Sequence, residues 1–210
     1  MQLSAIRVSA LAMLAAYSAI SAELPGRSRA GQPPRKVIVG TIMQAYWETY
    51  PGLPKRLDRL MTTIDRVAEA AHRSYGRGPD VIVLPEVAIT GEFSGTVRNT
   101  AIPYSGAVEA AFARKARQHH TYLVVPLYLL EDDGKTCSNA AILVGRNGER
   151  VGTYRKVHLA VPTGSDSLEG GTTPGKEAAV FSCDFGKLGI QICFDMEYDS
   201  GWRELERQGA

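Results

Sequence analysis

A stripe of apolar residues at helical spacing, set between two short apolar runs, constrains this chain more than any other feature. Leu57, Leu60, Met61, Ile64, Val67, Ala68 and Ala71 share one face of a 3.6-residue repeat. Pro51 and Pro54 mark its start, and Gly76, Gly78 and Pro79 stop it. The run before it, residues 36–43, reads as a strand. The run after it, residues 80–84, is short and continuous, as expected of a strand buried on both faces. A second helix is expected over residues 106–119, with Val108, Ala111, Phe112 and Ala116 inward, followed by a strand over residues 121–130. A strand–helix–strand–helix order of this kind requires layered α/β packing.

From there the pattern changes to hairpins. Asp132-Asp133-Gly134 turns the chain into a strand over residues 138–144. Asn147-Gly148 is the strongest hairpin signal present, with a return strand over residues 151–158. A Gly/Ser/Thr/Pro-rich loop covers residues 161–176. A further hairpin pairs residues 178–183 with 188–192 across residues 184–187, and a helix starts at Gly201. The sheet is therefore expected to be mixed. No internal repeat or second domain is evident, and the chain stops just after a helix with no strand following, so it reads as a fragment.

The N-terminus reads as a targeting segment. Arg7 supplies a positive charge, residues 8–20 are small and apolar, and Ser21-Ala22 offers a cleavage site, the order of a secretory signal. The apolar run is shorter than the roughly 20 residues that span a bilayer. A secreted or periplasmic protein without a stable membrane anchor is the expectation. Cleavage after Ala22 leaves 210 − 22 = 188 residues, with residues 23–35 as a flexible leader and 36–210 as the folded domain. Loss of Arg7 leaves 23 basic against 22 acidic residues, a balance without basic blocks that gives no reason to expect nucleic acid. Cys137, Cys183 and Cys193 form an odd set. The first two lie in apolar strand patterns, where a structural thiol is the ordinary reading, and a disulfide between them stays open.

Three reactive side chains sit at the ends of apolar runs. Glu86 follows Val81-Ile82-Val83-Leu84-Pro85, where burial would suit a carboxylate to carry protons. A Glu after a strand is ordinarily a solvated loop residue, and Glu92 competes in the same loop. Lys156 lies in Tyr154-Arg155-Lys156-Val157-His158, with residues 154, 156 and 158 expected on one face. It could neutralise an oxyanion, although a strand lysine ordinarily guards an edge. Cys193 closes the run 188–192, where its sulfur meets the mouth of a sheet instead of a core. The N–H of Phe194 is placed to be a second oxyanion donor. A thiol, a carboxylate and an ammonium together suffice for attack on a carbonyl or nitrile carbon. Glu169, in the long loop, reads on its own as a solvated acid. His119-His120 lies at a helix end, and neither CxxC nor HExxH spacing occurs, so no metal is expected.

Leu84-Pro85-Glu86 with Thr90-Gly91, Tyr154-Arg155-Lys156-Val157-His158-Leu159, and Gly189-Ile190-Gln191-Ile192-Cys193-Phe194-Asp195 together resemble the nitrilase superfamily, the carbon–nitrogen hydrolases. The resemblance runs from Val37 to Ala210. It implies an α-β-β-α sandwich, here incomplete at the C-terminus, and association into homo-oligomers when full-length. It implies catalysis by Glu86 as base and acid, Lys156 as stabiliser and Cys193 as nucleophile, with Glu169 as a second glutamate. Phe194 and Tyr154 would serve oxyanion or substrate binding, and no cofactor is called for. Cys193-Phe194-Asp195 stands where true nitrilases carry Cys-Trp-Glu, so a small amide or ureido (carbamoyl) substrate is favoured over a nitrile. A fragment of such a fold is expected to be poorly active alone. Two other readings compete: a Cys-His thiol hydrolase or acyltransferase with His158 as base, and a silent exported binding domain.

Overall fold

The computed structural model describes residues 35–44, 49–91, 96–161 and 168–210. The apolar stripe forms α1 (Leu53–Tyr75). Pro54 lies in its first turn, where a missing N–H costs no helical hydrogen bond. Gly76 ends it at φ 70°, a left-handed cap that glycine adopts without Cβ strain. Leu60, Ile64 and Ala68 are fully buried beneath it.

β1 (Val39–Thr41) and β2 (Val81–Val83) flank this helix in sequence and pair in parallel. Both are shorter than residues 36–43 and 80–84 suggested. At their starts the Asp80 carboxylate accepts the Ile38 N–H at 2.9 Å while the Asp80 N–H donates to the Ile38 carbonyl at 2.8 Å, so pairing there is shared between side chain and backbone. α2 (Gly106–His119) has the expected bounds. β3 (Tyr122–Leu130) runs parallel to β2, and β4 (Cys137–Val144) and β5 (Arg150–Arg155) continue antiparallel, giving a mixed sheet in the order β1-β2-β3-β4-β5. The β4–β5 turn uses Asn147-Gly148. Gly148 has φ 81°, and a Cβ there would lie 2.8 Å from the Ala113 carbonyl oxygen.

β6 (Ala179–Cys183) and β7 (Gly186–Ile190) make a separate two-stranded sheet. Cys183 pairs with Gly186, so the turn is the two residues Asp184-Phe185, tighter than the four expected. Gly186 at φ 137° permits it. α3 (Asp199–Arg207) starts two residues before Gly201.

Period-two alternation sorts the side chains into layers. Leu123, Val125 and Leu127 of β3, with Ala140 and Ile142 of β4, face α1 and α2. Tyr122, Val124, Ala141, Leu143 and Tyr154 face the other way and meet Ile190, Ile192, Phe181 and Leu188 of the smaller sheet's segment. α3 covers the outer side of that sheet, where a Cβ on Gly189 would lie 2.9 Å from Leu205 Cδ2. The layers are thus helices, sheet, sheet, helix, the α-β-β-α order anticipated.

One expected strand ends early. The return strand assigned to residues 151–158 stops at Arg155, because the Val157 and His158 N–H groups turn to the carboxylate of Asp195, at 3.2 and 2.8 Å. Lys156 therefore lies just past β5 and not within it. The three cysteines are free thiols, which closes the Cys137–Cys183 pairing left open above. The proposed signal and nearly all of the leader lie outside the described residues, as do Glu92 and residues 162–167 of the loop over residues 161–176. No helix among the described residues is long and apolar enough to cross a membrane.

Candidate active site

β2, β4 and β5 bring three polar side chains to one end of the sandwich, and a loop brings a fourth. Glu86 follows β2 on a turn anchored to the sheet, where Thr90 Oγ1 accepts the Tyr128 N–H of β3 at 3.1 Å. Lys156 follows β5 and is held by backbone on both sides: its N–H donates to the Asn139 carbonyl at 2.8 Å, and its carbonyl accepts from the Gly175 N–H at 2.7 Å. Asn139 projects from β4 on the face shared with Ala141 and Leu143. Glu169 comes in from the loop, 7% exposed, its N–H bonded to the Ala160 carbonyl at 2.9 Å.

Lys156 Nζ sits between the two glutamates. It donates to Glu86 Oε1 at 3.2 Å and to Glu169 Oε1 in a short contact. Asn139 Nδ2 donates to the same Glu86 Oε1 at 2.7 Å and reaches Glu169 Oε2 at 3.5 Å. The lysine is 1% exposed. Burial alone would lower its pKa, but the hydrogen bond to Glu169 and the charge of Glu86 outweigh it and hold the ammonium above its ordinary value. Two carboxylates around one ammonium leave the cluster with a negative surplus.

Cys193 opens a 3-10 turn over Cys193–Glu197 and is exposed to solvent. Its sulfur lies near enough to the Glu86 carboxylate, the Lys156 ammonium and the Phe194 N–H for each to act on its titration. Although the residue is exposed, partial desolvation of the sulfur and the nearby Glu86 charge raise its pKa, against the opposing pull of Lys156 and the Phe194 N–H. The resting group is therefore a thiol with a carboxylate beside it to take its proton, rather than a preformed thiolate. Its φ is 47°. Val87 (51°) and Glu169 (36°) share that left-handed conformation, so three of the four non-glycine residues with positive φ among the described residues lie at or beside this site. Such backbone typically costs about 1–3 kcal/mol per residue and concentrates where geometry serves chemistry.

Glu86, Lys156, Glu169 and Cys193, separated by up to 107 positions along the chain, thus converge. The Phe194 N–H lies beside the sulfur, while its ring is partly exposed and meets Tyr198 edge-on at 5.6 Å. Tyr154 differs from the substrate-binding role assigned to it. Its hydroxyl donates to Asp195 Oδ2 at 2.6 Å inside the core, since residue 154 lies in regular β5 and Lys156 lies beyond it. His158 places Nδ1 3.2 Å from Asp195 Oδ1 and stacks on Tyr198 at 3.7 Å, so the base beside the thiol is Glu86. Two residues of the site escaped the sequence reading. Asn139 was visible only as a polar residue in an apolar strand, and Asp195 served there only to separate sub-classes. Among the described residues no group of three or more His, Cys, Asp or Glu could hold a metal ion.

The sequence pattern of the carbon–nitrogen hydrolases matches residues 41–210. This chain belongs to the carbon–nitrogen hydrolase family. Among relatives, the deaminated glutathione amidase of Synechocystis is 29% identical over 162 residues, covering 72% of this chain and 58% of that protein. The omega-amidase NIT2 of Danio rerio is 30% identical over 150 residues, covering 68% and 51% respectively. The carbon–nitrogen hydrolase chain described here thus spans between half and three-fifths of the length of these relatives. Its fold is similar to that of an amidase from Nesterenkonia, with a TM-score of 0.68 at 19% identity over 85% of this chain and 64% of the other. It is also similar to Saccharomyces cerevisiae Nit3, a member of branch 10 of the nitrilase superfamily, with a TM-score of 0.64 at 22% identity over 77% and 58%.

Proposed function

We propose that this chain carries the catalytic centre of a hydrolase that cleaves a non-peptide C–N bond in a small amide or ureido compound through a thioester-type intermediate. The observation that carries the reading is the convergence of the Cys193 thiol and the Glu86 carboxylate at the buried Lys156 ammonium. Glu86 takes the thiol proton as the sulfur bonds to the carbonyl carbon, and the C=O electron pair moves onto oxygen. Lys156 and the Phe194 N–H stabilise that oxyanion, an interaction that strengthens as charge develops. Collapse breaks the C–N bond, and Glu86 returns its proton to the departing ammonia or amine. Water, deprotonated by Glu86, then attacks the acyl carbon. The C–S bond breaks, the acid product leaves, and Cys193 regains its proton. Glu169 and Asn139 touch Lys156 and Glu86 and keep both oriented.

Cys193-Phe194-Asp195 in place of Cys-Trp-Glu, together with relatives named as amidases, supports an amide or ureido substrate over a nitrile. Ammonia release should be measured over amides, ureido acids and nitriles, for this chain and a C-terminally extended form. Turnover of amides or ureido acids, abolished in Cys193→Ala, is expected. Equal release by Cys193→Ala, or release from nitriles alone, would overturn it.

The exposed apolar residues Met196, Tyr198 and Trp202 around the start of α3 support self-association of the full-length protein. The charge and apolar pattern of residues 1–22 supports export to a secreted or periplasmic location. N-terminal sequencing of the mature protein, expected to begin at Glu23, tests the second point.

A further inference from the structure

We propose that Asp195 is a positioning residue that fixes the separation of Lys156 from Cys193 through one buried carboxylate. The geometry stands by itself, and its consequence for turnover rests on the hydrolase reading above. β5 and β7 belong to different sheets, so no ladder hydrogen bond sets the distance between the ammonium and the sulfur. Something else must tie the two strand exits together.

Asp195 is 1% exposed and accepts from both sides. Oδ1 takes the N–H groups of Val157 and His158, at 3.2 and 2.8 Å, and lies 3.2 Å from His158 Nδ1. These residues immediately follow Lys156. Oδ2 takes the Ile192 N–H at 3.0 Å and the Tyr154 hydroxyl at 2.6 Å. Ile192 immediately precedes Cys193, and Tyr154 lies two residues before Lys156. The Asp195 N–H returns to the Ile192 carbonyl at 3.1 Å, closing the turn that carries the nucleophile. One oxygen grips the end of the lysine segment, and the other grips the entrance to the cysteine turn together with β5.

A carboxylate offers acceptors to the three backbone N–H groups and the tyrosine hydroxyl around it, whereas an asparagine of equal shape turns an NH₂ toward some of the same donors. Asp195→Asn therefore loosens the tie with little change in volume. Only the spacing and mutual dependence of Lys156 and Cys193 should then suffer, which a merely stabilising role would leave untouched.

The test is a double-mutant cycle in the whole chain that reads the rate of Cys193 alkylation by iodoacetamide, located by peptide mass, with urea unfolding as the folding control. In the wild-type background Lys156→Met is expected to slow alkylation about fivefold, since it removes the positive charge beside the sulfur. In the Asp195→Asn background the same change is expected to alter the rate less than about twofold, because the lysine no longer holds its place. An equal Lys156 effect in both backgrounds would overturn the proposal. If Asp195→Asn shows no cooperative urea transition, the cycle is run with Tyr154→Phe, which removes one donor from Oδ2. A Lys156 effect reduced to roughly half supports the tie, and an unchanged one overturns it. Failure of the hydrolase reading is separate: it shows as no ammonia release by wild-type protein while the alkylation coupling persists.

Discussion

The two ends of the larger sheet each carry a cluster of charge around a buried ionic group, Asp80 at one and Lys156 at the other, and the clusters are built on opposite plans. At the end where β2 begins and β4 finishes, Asp80 accepts from Arg35, Arg77 and Arg146 at 2.8, 2.9 and 3.0 Å, and Arg146 also forks onto Asp184. Three guanidinium groups there answer two carboxylates, and each is fixed by hydrogen bonds. At the end where β2 finishes and β4 begins, two carboxylates share the single ammonium of Lys156. Positive surplus at one end pins strands together. Negative surplus at the other keeps a thiol protonated and a base beside it. Buried charge by itself therefore says little about purpose, whereas the sign of the excess and the presence of a reactive group beside it say a great deal.

Substitutions can separate the two plans. The largest effect is expected for Lys156→Met, which should cut ammonia release by about 10³-fold, the size typical of losing an oxyanion partner, measured as kcat on the best amide. Next comes Asp80→Asn, which removes the one carboxylate shared by three arginines and should cost about 2 kcal/mol in urea unfolding. Alkylation of Cys193 in the folded protein should stay at the wild-type rate, and a change there would break the division of labour. Burial alone would raise the Asp80 pKa, but the Ile38 N–H and the three arginines hold it far below the ordinary carboxylate range. A depressed folded value means that the stability from this group is full above about pH 4 and is lost as pH falls further. The gap between wild type and Asp80→Asn should accordingly be widest near neutrality and shrink toward pH 2.

Asn139→Leu should slow turnover roughly tenfold, the cost of one charge-assisted hydrogen bond to Glu86, while thermal stability changes little. The smallest expected effect concerns Cys193 itself. Its raised pKa means less thiolate at a given pH, so alkylation should go on rising with pH after a free cysteine has levelled off. Glu86→Gln should move that rise to lower pH by removing the adjacent negative charge. A rise that stays in place would assign the shift to burial alone.

How far these clusters could be read from sequence differs for a physical reason. α1, α2 and the Asn147-Gly148 hairpin were legible because periodicity and turn chemistry are local. Glu86, Lys156 and Cys193 were legible because each punctuates an apolar run. Asn139 was not, since its use depends on which β4 face meets the second sheet, and pairing with β3 and β5 decides that. The early end of β5 was equally hidden: residues 156–158 have ordinary strand character, and a carboxylate 37 positions beyond His158 diverts their backbone. Tyr154 followed the same error, because the shared face drawn through residues 154, 156 and 158 requires a strand that continues.

The backbone at position 193 bears on what the nucleophile costs the fold. The fold asks there for a conformation that glycine adopts freely and cysteine only under strain, φ 47°. Glycine there would relieve the strain and remove the nucleophile, so this position sets local stability against chemistry.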